Sequence, residues 1–233
     1  MKIFFKGFNY SQDGPGNRLV YHLQGCNMKC PWCSNPEGMS FDGGIEYSTE
    51  QIVQECLRSR AMFFSGGGVT FTGGEATVQR DDLSEVLEQL RSQNIHTAIE
   101  TNGTSPYLPQ IQEHVDYLMM DFKHYDADSF LKYTGVKIDS LLKNYEYLCG
   151  IARQLHIRIP LINRINTESP ERFAECLSQF DTSNVVFEFL PYHEYGKKKW
   201  KTEYVINDGF VSRELVDKFK KTFLDYKLKT VNT

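Results

Sequence analysis

From residue 48 onward the sequence switches repeatedly between helical spacing of apolar residues and short runs of strand character, and this repetition restricts the fold more than any other feature. Residues 48–60 open on the capping-type Ser48-Thr49-Glu50-Gln51 and carry Ile52, Val53, Cys56 and Leu57 on one face, which predicts a helix. Residues 69–71 form a short β-rich run stopped by Gly73 and Gly74. Residues 81–93 space Leu83, Val86, Leu87 and Leu90 as a helix does, and 95–101 follow as a strand. Strands are predicted again at 116–122, 155–162 and 184–190. Helices are predicted near 139–153, 169–180 and 211–227, the last leading into 228–231. A further strand, 19–24, lies upstream. Repeated βα units imply an α/β fold with a parallel sheet, open or barrel-like. With no linker or low-complexity tract in its 233 residues, the chain is expected to form a single domain, 1–233.

The strands narrow this further. In the run beginning at His156, residues Ile157, Ile159 and Leu161 face one way and His156 and Arg158 the other. The same alternation sets Leu118, Met120 and Phe122 against Met119, Asp121 and Lys123, and Ile95, Thr97 and Ile99 against His96, Ala98, Glu100 and Asn102. A strand apolar on one face and charged on the other borders a polar cavity, unlike a strand sealed on both sides. A partial (β/α)6 barrel with a wide lumen fits this better than an open sheet.

Twenty-six basic against thirty acidic side chains give a net charge of -4, the wrong sign for a protein that lives on phosphate backbones, so no nucleic-acid partner is expected. No run of about 18 apolar residues offers a membrane span, and the start, Met1 to Lys6, lacks a signal-peptide apolar region. The expected location is the reducing cytoplasm, where clustered cysteines more often bind metal than form disulfides.

The six cysteines are uneven: Cys26, Cys30 and Cys33 lie within eight residues, just after the strand at 19–24, while Cys56, Cys149 and Cys176 are single. Three thiolates suit zinc or iron, but a closed zinc site or an iron–sulfur cube takes four ligands. Three leave one coordination site open. A zinc site could enlist His22 as its fourth ligand, but His22 and Cys26 would then have to leave a strand in one direction. The scattered cysteines suit core packing.

The cysteine spacing, followed by Gly73-Gly74-Glu75, resembles the radical S-adenosylmethionine enzymes, in which three cysteines hold a [4Fe-4S] cluster and the cofactor's amino and carboxylate groups chelate the fourth iron. Asp13-Gly14-Pro15-Gly16-Asn17-Arg18, Glu100-Thr101-Asn102-Gly103, Asp121-Phe122-Lys123 and Leu190 to Gly196 extend the likeness. In that order along residues 8 to 200 they resemble the activating enzymes of glycyl radical enzymes, especially the pyruvate formate-lyase branch. The resemblance implies a cluster loop at the C-terminal mouth of the first barrel strand. It also implies S-adenosylmethionine contacts from Asn35, Gly73, Gly74, Glu75, Asp121, Lys123, Arg158 and His193. In this branch a monovalent cation, Na+ or K+, sits beside the cofactor carboxylate, and its oxygen ligands map to Glu100, Thr101, Met119 and Asp121; Met119 can serve only through its carbonyl. The implied reaction is reductive cleavage of S-adenosylmethionine to a 5′-deoxyadenosyl radical, which takes a hydrogen from a backbone glycine of a glycyl radical enzyme. A flavodoxin or ferredoxin would donate the electron, and a monomer is expected.

Two features depart from the branch. The position of Glu100 is usually aspartate, and Ser34-Asn35-Pro36-Glu37 is more typical of activating enzymes with an inserted ferredoxin-like domain. Residues 38–65 hold only Cys56, so one cluster is expected. Simpler roles stand beside these: Asp121 and Lys123 as an ion pair, Glu75 as a helix cap, His193 as a surface histidine, Trp32 as a shield over the cluster. Lys197-Lys198-Lys199-Trp200 is a solvated turn or a docking point for the partner. Other functions in play are a radical S-adenosylmethionine enzyme acting on a peptide or small molecule, and a non-catalytic iron–sulfur or zinc protein.

Overall fold

The computed structural model describes residues 1–151 and 153–231; Ala152, inside the helix predicted at 139–153, and Asn232 and Thr233, inside the predicted domain, lie outside the described residues. The chain forms two compact units, Met1–Asn27 with Asn35–Met119, and Met28–Ser34 with Met120–Thr233.

In the first unit β1 (Lys2–Tyr10) and β2 (Asn17–Leu23) form an antiparallel hairpin, and the two-residue β3 (Ile45–Glu46) adds to the start of β1. The sequence reading passed over this hairpin; its cue is the turn-rich stretch 11–16 between two β-rich runs. Then β4 (Gly68–Gly73) pairs parallel to β2, and β5 (Thr97–Thr101) parallel to β4. Both crossovers are helical. The first, α1 (Thr49–Arg58), starts on a full capping box, with Ser48 Oγ accepting from the Gln51 N–H and Gln51 Oε1 from the Ser48 N–H. It buries Ile52, Val53 and Cys56, while Leu57 stays partly exposed. The second, α2 (Arg80–Ser92), buries Leu83, Val86, Leu87 and Leu90 completely. Strand β5 begins two residues later than predicted because Asn94 is left-handed and Ile95 N–H bonds back to Leu90. The short α3 (Leu108–Ile111) leads to β6 (Tyr117–Asp121), whose start is tied to β5 by Asp116 N–H to Thr97 O.

Arg18 gives the motif at residues 13–18 its physical meaning. The guanidinium is fully buried and donates to the Val69 and Pro15 carbonyls and to Thr70 Oγ1, fixing β2 against β4. Burial pulls its pKa down to about 10, against the pull of Asp116 and Asp13, so it remains charged at neutral pH.

In the second unit Phe122 N–H, just past β6, donates to Arg158 O on β7 (Leu155–Leu161), which runs parallel to β8 (Val185–Pro191) with Arg158 opposite Glu188. Ile157, Ile159, Leu161, Phe187 and Phe189 are wholly buried, and His156, Arg158 and Glu188 occupy the other row, as the alternation predicts. Four helices accompany them: α4 (Ala127–Thr134), α5 (Asp139–Cys149), α6 (Pro170–Leu177) and α7 (Arg213–Asp225). Helix α4 was not predicted; its start is capped by Asp126, which accepts from the Ser129 N–H. Helix α5 stops at Cys149, before Gly150, sooner than predicted. Phe223 of α7 meets Phe187 and Phe189 edge-on and Phe219 meets Phe189 at a tilt, each burial contributing about 1.5–3 kcal/mol. Residues 228–231 make only a bridge, Phe187 to Thr230. Among the described residues no helix is long and apolar enough to cross a membrane.

Candidate active site

The cysteine loop leaves the end of β2, the first of the parallel strands. Within the first unit it is zipped to the Gly-Gly-Glu segment at the end of β4: Gly74 N–H donates to Leu23 O and Glu75 N–H to Gly25 O, while Cys26 N–H donates to Met39 O. Gly73 has φ of +116°, and a Cβ there would overlap the backbone of His22 and Leu23. One on Gly74 would overlap the Gly25 and Gly38 carbonyls. Gly73 is thus required by the close approach of β4 to the end of β2, and Gly74 by its contact with the start of the cysteine loop. Asn35 sits before a single 3-10 turn, Pro36–Gly38.

Glu75 is 2% exposed. Its Oε1 accepts from Thr77 N–H (3.0 Å), Thr77 Oγ1 (2.6 Å) and Thr101 Oγ1 (2.7 Å), and its Oε2 from Asn102 N–H (2.6 Å). The helix-cap role is therefore present, through Thr77, but two of the four donors come from the end of β5. All four are neutral, and no basic side chain pairs with Glu75 among the described residues. A buried carboxyl so held has only neutral donors around it, an arrangement that favours a cationic ligand. On β5 itself Glu100 Oε2 accepts from Thr72 Oγ1 at 2.6 Å, and Thr101 divides its hydroxyl between Glu75 and the Gly103 N–H. Thr72, Thr77 and Asn102 were not singled out from sequence as individual site residues. Met119 is buried near the end of β6.

In the second unit Cys30 is buried, with Sγ 4.0 Å from Met28 Sδ. Burial pushes its thiol up to about 12, opposed by Lys123. The backbone of this segment is held by Lys29 N–H to Thr134 O, Cys33 N–H to Cys30 O and Trp200 Nε1 to Cys33 O (3.2 Å). Gly196 packs against Cys33 and Ser34 so closely that a Cβ would strike both. The motif at 190–196 and Trp200, at the end of the lysine run, thus meet the segment that carries Cys30 and Cys33. Trp32 lies against Tyr133 and packs on Ile162, Tyr192 and Ile206.

Asp121 and Lys123 form an ion pair at 2.7 Å. Arg158 Nε lies 3.5 Å and His156 Nε2 3.1 Å from Glu188 Oε2, a partner that the sequence reading missed although Arg158 and Glu188 are opposite in register. His193 stacks on Tyr195, ring centroids 4.2 Å apart, and burial lowers its pKa. Lys197 to Lys199 form an exposed 3-10 turn, with Lys197 paired to Glu194 at 2.9 Å.

His22, the alternative zinc ligand, lies against the rings of Phe4 and Phe5 in the hairpin. Cys56 and Cys149 are buried in helices and Cys176 is half-buried. Among the described residues no three thiol, imidazole or carboxylate groups are gathered for a metal ion.

The sequence profile of the Radical SAM superfamily matches residues 20–177. The pyruvate formate-lyase-activating enzyme of Clostridium pasteurianum is 33% identical over 224 residues, 94% of this chain and 85% of that protein. Among solved structures, a domain of the pyruvate-formate lyase-activating enzyme from Bacteroides vulgatus superposes with a TM-score of 0.61 at 26% identity, covering 71% of this chain and 98% of that one. A radical SAM methyltransferase from Sphaerobacter thermophilus gives 0.70 at 15% identity over 97% of this chain and 72% of that one, a likeness of fold alone. The α/β, partial-barrel class expected from the repeated strand–helix units is the class of these neighbours. A match that runs through both compact units, with a relative one-third identical over nearly the whole length, shows that the chain belongs to the radical SAM superfamily, among the pyruvate formate-lyase-activating enzymes.

Proposed function

We propose that this protein activates a glycyl radical enzyme of the pyruvate formate-lyase type, residues 1–233 working as one radical S-adenosylmethionine domain. Cys26, Cys30 and Cys33 would hold a single [4Fe-4S] cluster. The donor set fits: three thiols within eight residues, on a loop whose two ends are fixed by backbone hydrogen bonds. Thiolates bind metal with release of their protons, and in metal sites the ligands are commonly drawn together by binding itself. Bound together, the cluster and S-adenosylmethionine would supply one-electron reductive cleavage of the cofactor, the chemistry needed for hydrogen abstraction from a backbone glycine of the partner.

The observation that carries this reading is Glu75, buried and satisfied only by neutral donors. A carboxylate has about four lone-pair sites, and Oε2 is used once, so an ammonium can add without displacing a donor. The methionyl ammonium of S-adenosylmethionine is such a group. Gly73 and Gly74 hold the segment flush against the cysteine loop. Asn35, Asp121, Lys123, Arg158 and His193 would supply the remaining cofactor contacts, Lys123 as a cation for the carboxylate. Glu100, Thr101, Met119 and Asp121 offer oxygen donors for Na+ or K+. We place the protein in the cytoplasm as a monomer that takes its electron from a flavodoxin or ferredoxin.

The test is anaerobic incubation of the reconstituted protein with S-adenosylmethionine, reductant and a pyruvate formate-lyase. We expect 5′-deoxyadenosine and a glycyl radical doublet by electron paramagnetic resonance. Absence of 5′-deoxyadenosine would remove the cofactor chemistry. Its formation without a radical on any glycyl radical enzyme would move the substrate to a peptide or small molecule.

A further inference from the structure

We infer that Asn102 is a positioning residue that locks the cysteine loop to Glu75, an inference that rests on the cluster and cofactor reading above. Three side chains form a closed ring: Asn102 Nδ2 donates to Asn27 Oδ1 (2.8 Å), Asn27 Nδ2 donates to Thr104 Oγ1 (2.9 Å), and Thr104 Oγ1 donates to Asn102 Oδ1 (2.7 Å). Thr104 N–H adds a second bond to Asn102 Oδ1 at 3.0 Å. Each group in the ring both gives and receives, and such circular chains strengthen one another. The backbone of the same Asn102 donates to Glu75 Oε2 at 2.6 Å. One residue therefore touches the carboxylate with its main chain and, with its side chain, the residue next to Cys26.

Asn102 is 6% and Thr104 8% exposed, and no member of the ring is charged. Local caps and turns need no such closure: Asn27 lies 75 residues from Asn102, in a loop that carries no secondary structure of its own. The ring spans the gap between the end of β5 and the first cysteine. Groups that orient a metal ligand without touching the metal commonly change metal affinity or activity 10- to 100-fold when removed. Asn27 and Thr104 border a cleft of about 520 Å³ that Thr77 also lines, so truncation of either opens onto that cleft.

The test reads iron release from the reconstituted protein to a chromogenic chelator, alongside the change in the reduced cluster's paramagnetic spectrum on adding S-adenosylmethionine. Asn102→Ala, Thr104→Val and Asn27→Ala should each release iron about tenfold faster than the parent. Thr104→Ser, which keeps the hydroxyl, should restore the parental rate; a merely structural loss of packing would not be so rescued. Asn27→Ala alters an exposed side chain and tests the ring even if a buried variant fails to fold. Parental release rates and an unchanged spectral response in Asn27→Ala and Thr104→Val would overturn the inference. Cys26→Ala is the separate control: if it keeps its cluster and still binds S-adenosylmethionine, the underlying reading fails instead.

Discussion

Glu75 in the first unit and Glu188 in the second are both withdrawn from water, yet they are stabilised in opposite ways. Glu75 has four neutral donors and no cation. Glu188, its side chain 15% exposed, has two basic neighbours, His156 and Arg158, in its own sheet. Burial works to raise the Glu188 carboxyl, but the His156 hydrogen bond and the charges of Arg158 and His156 outweigh it and hold it below the ordinary carboxylate range. A paired acid contributes to the fold and has little reason to seek a ligand. An acid surrounded by neutral donors keeps a desolvated charge that a bound cation relieves. Of two carboxyls withdrawn from water, the second braces Arg158, and the first is the one for which we propose a bound cation.

The largest effect should come from the first of these. Glu75→Gln removes the charge and points an amide at donors that already face the carboxylate. Affinity for S-adenosylmethionine, measured calorimetrically on the reconstituted protein, should fall at least about 100-fold, roughly 2.7 kcal/mol. Glu188→Gln should leave that affinity within about threefold, since it removes a brace and no cofactor contact. An equal loss in both variants would end the distinction between them.

Glu188→Gln should act on stability, which is the next largest effect. Removing one partner of a fully buried ion pair costs about 3–5 kcal/mol; the partial exposure here brings the expectation to about 2 kcal/mol in urea unfolding. A double-mutant cycle with Arg158→Met should return a coupling of about 1–2 kcal/mol. The sign with pH follows from the depressed carboxyl: its contribution is complete above the unfolded value near about 4.3 and is lost as pH falls through the lower folded one. The stability gap between parent and Glu188→Gln should therefore narrow below about pH 4.3. A gap that widened in acid would mean that Glu188 is not held by its basic neighbours.

What was legible beforehand follows the same division. The row of His156 and Arg158 opposite Ile157 and Ile159 is a period-two pattern confined to seven residues, and it shows in the sequence. Glu188 as their partner does not, because the pairing depends on the parallel register of two strands joined through α6. Gly73, Gly74 and Glu75 stood out as a motif, yet Thr101 and Asn102 reach Glu75 across 26 and 27 residues, a separation that no local spacing encodes. The glycines carried a second ambiguity. Close approach was anticipated, but the neighbours are the chain's own β2 end and cysteine loop. The β1–β2 hairpin went unread for a different reason: Phe4, Phe5 and Phe8 break the strict alternation that marks a half-buried strand, and Phe5 and Phe8 stay exposed.

The second unit also contains a buried titratable group whose hydrogen-bond partners are neutral, as those of Glu75 are. His124 is 6% exposed and its two hydrogen-bond partners are neutral: its Nδ1 accepts from the Asp126 N–H at 2.9 Å, so Nε2–H donates to Ile165 O at 3.1 Å. Burial lowers its pKa, against the pull of the Ile165 carbonyl and of Asp126 and Glu168. Unlike a carboxylate, imidazole escapes an unpaired buried charge by staying neutral. Protonation would place a hydrogen where the Asp126 N–H already points and would loosen the start of α4. The stability that neutral His124 provides is thus present above the unfolded value near about 6.5 and is lost as pH falls below it. Between about pH 7 and pH 5.5 the parent should lose on the order of 1 kcal/mol, the worth of that hydrogen bond, relative to His124→Gln, which cannot titrate. If the two proteins lose stability in parallel over that interval, neutral partners alone do not make a buried site in this fold sensitive to charge, and the case for Glu75 as a cation acceptor would then stand on ligand binding only.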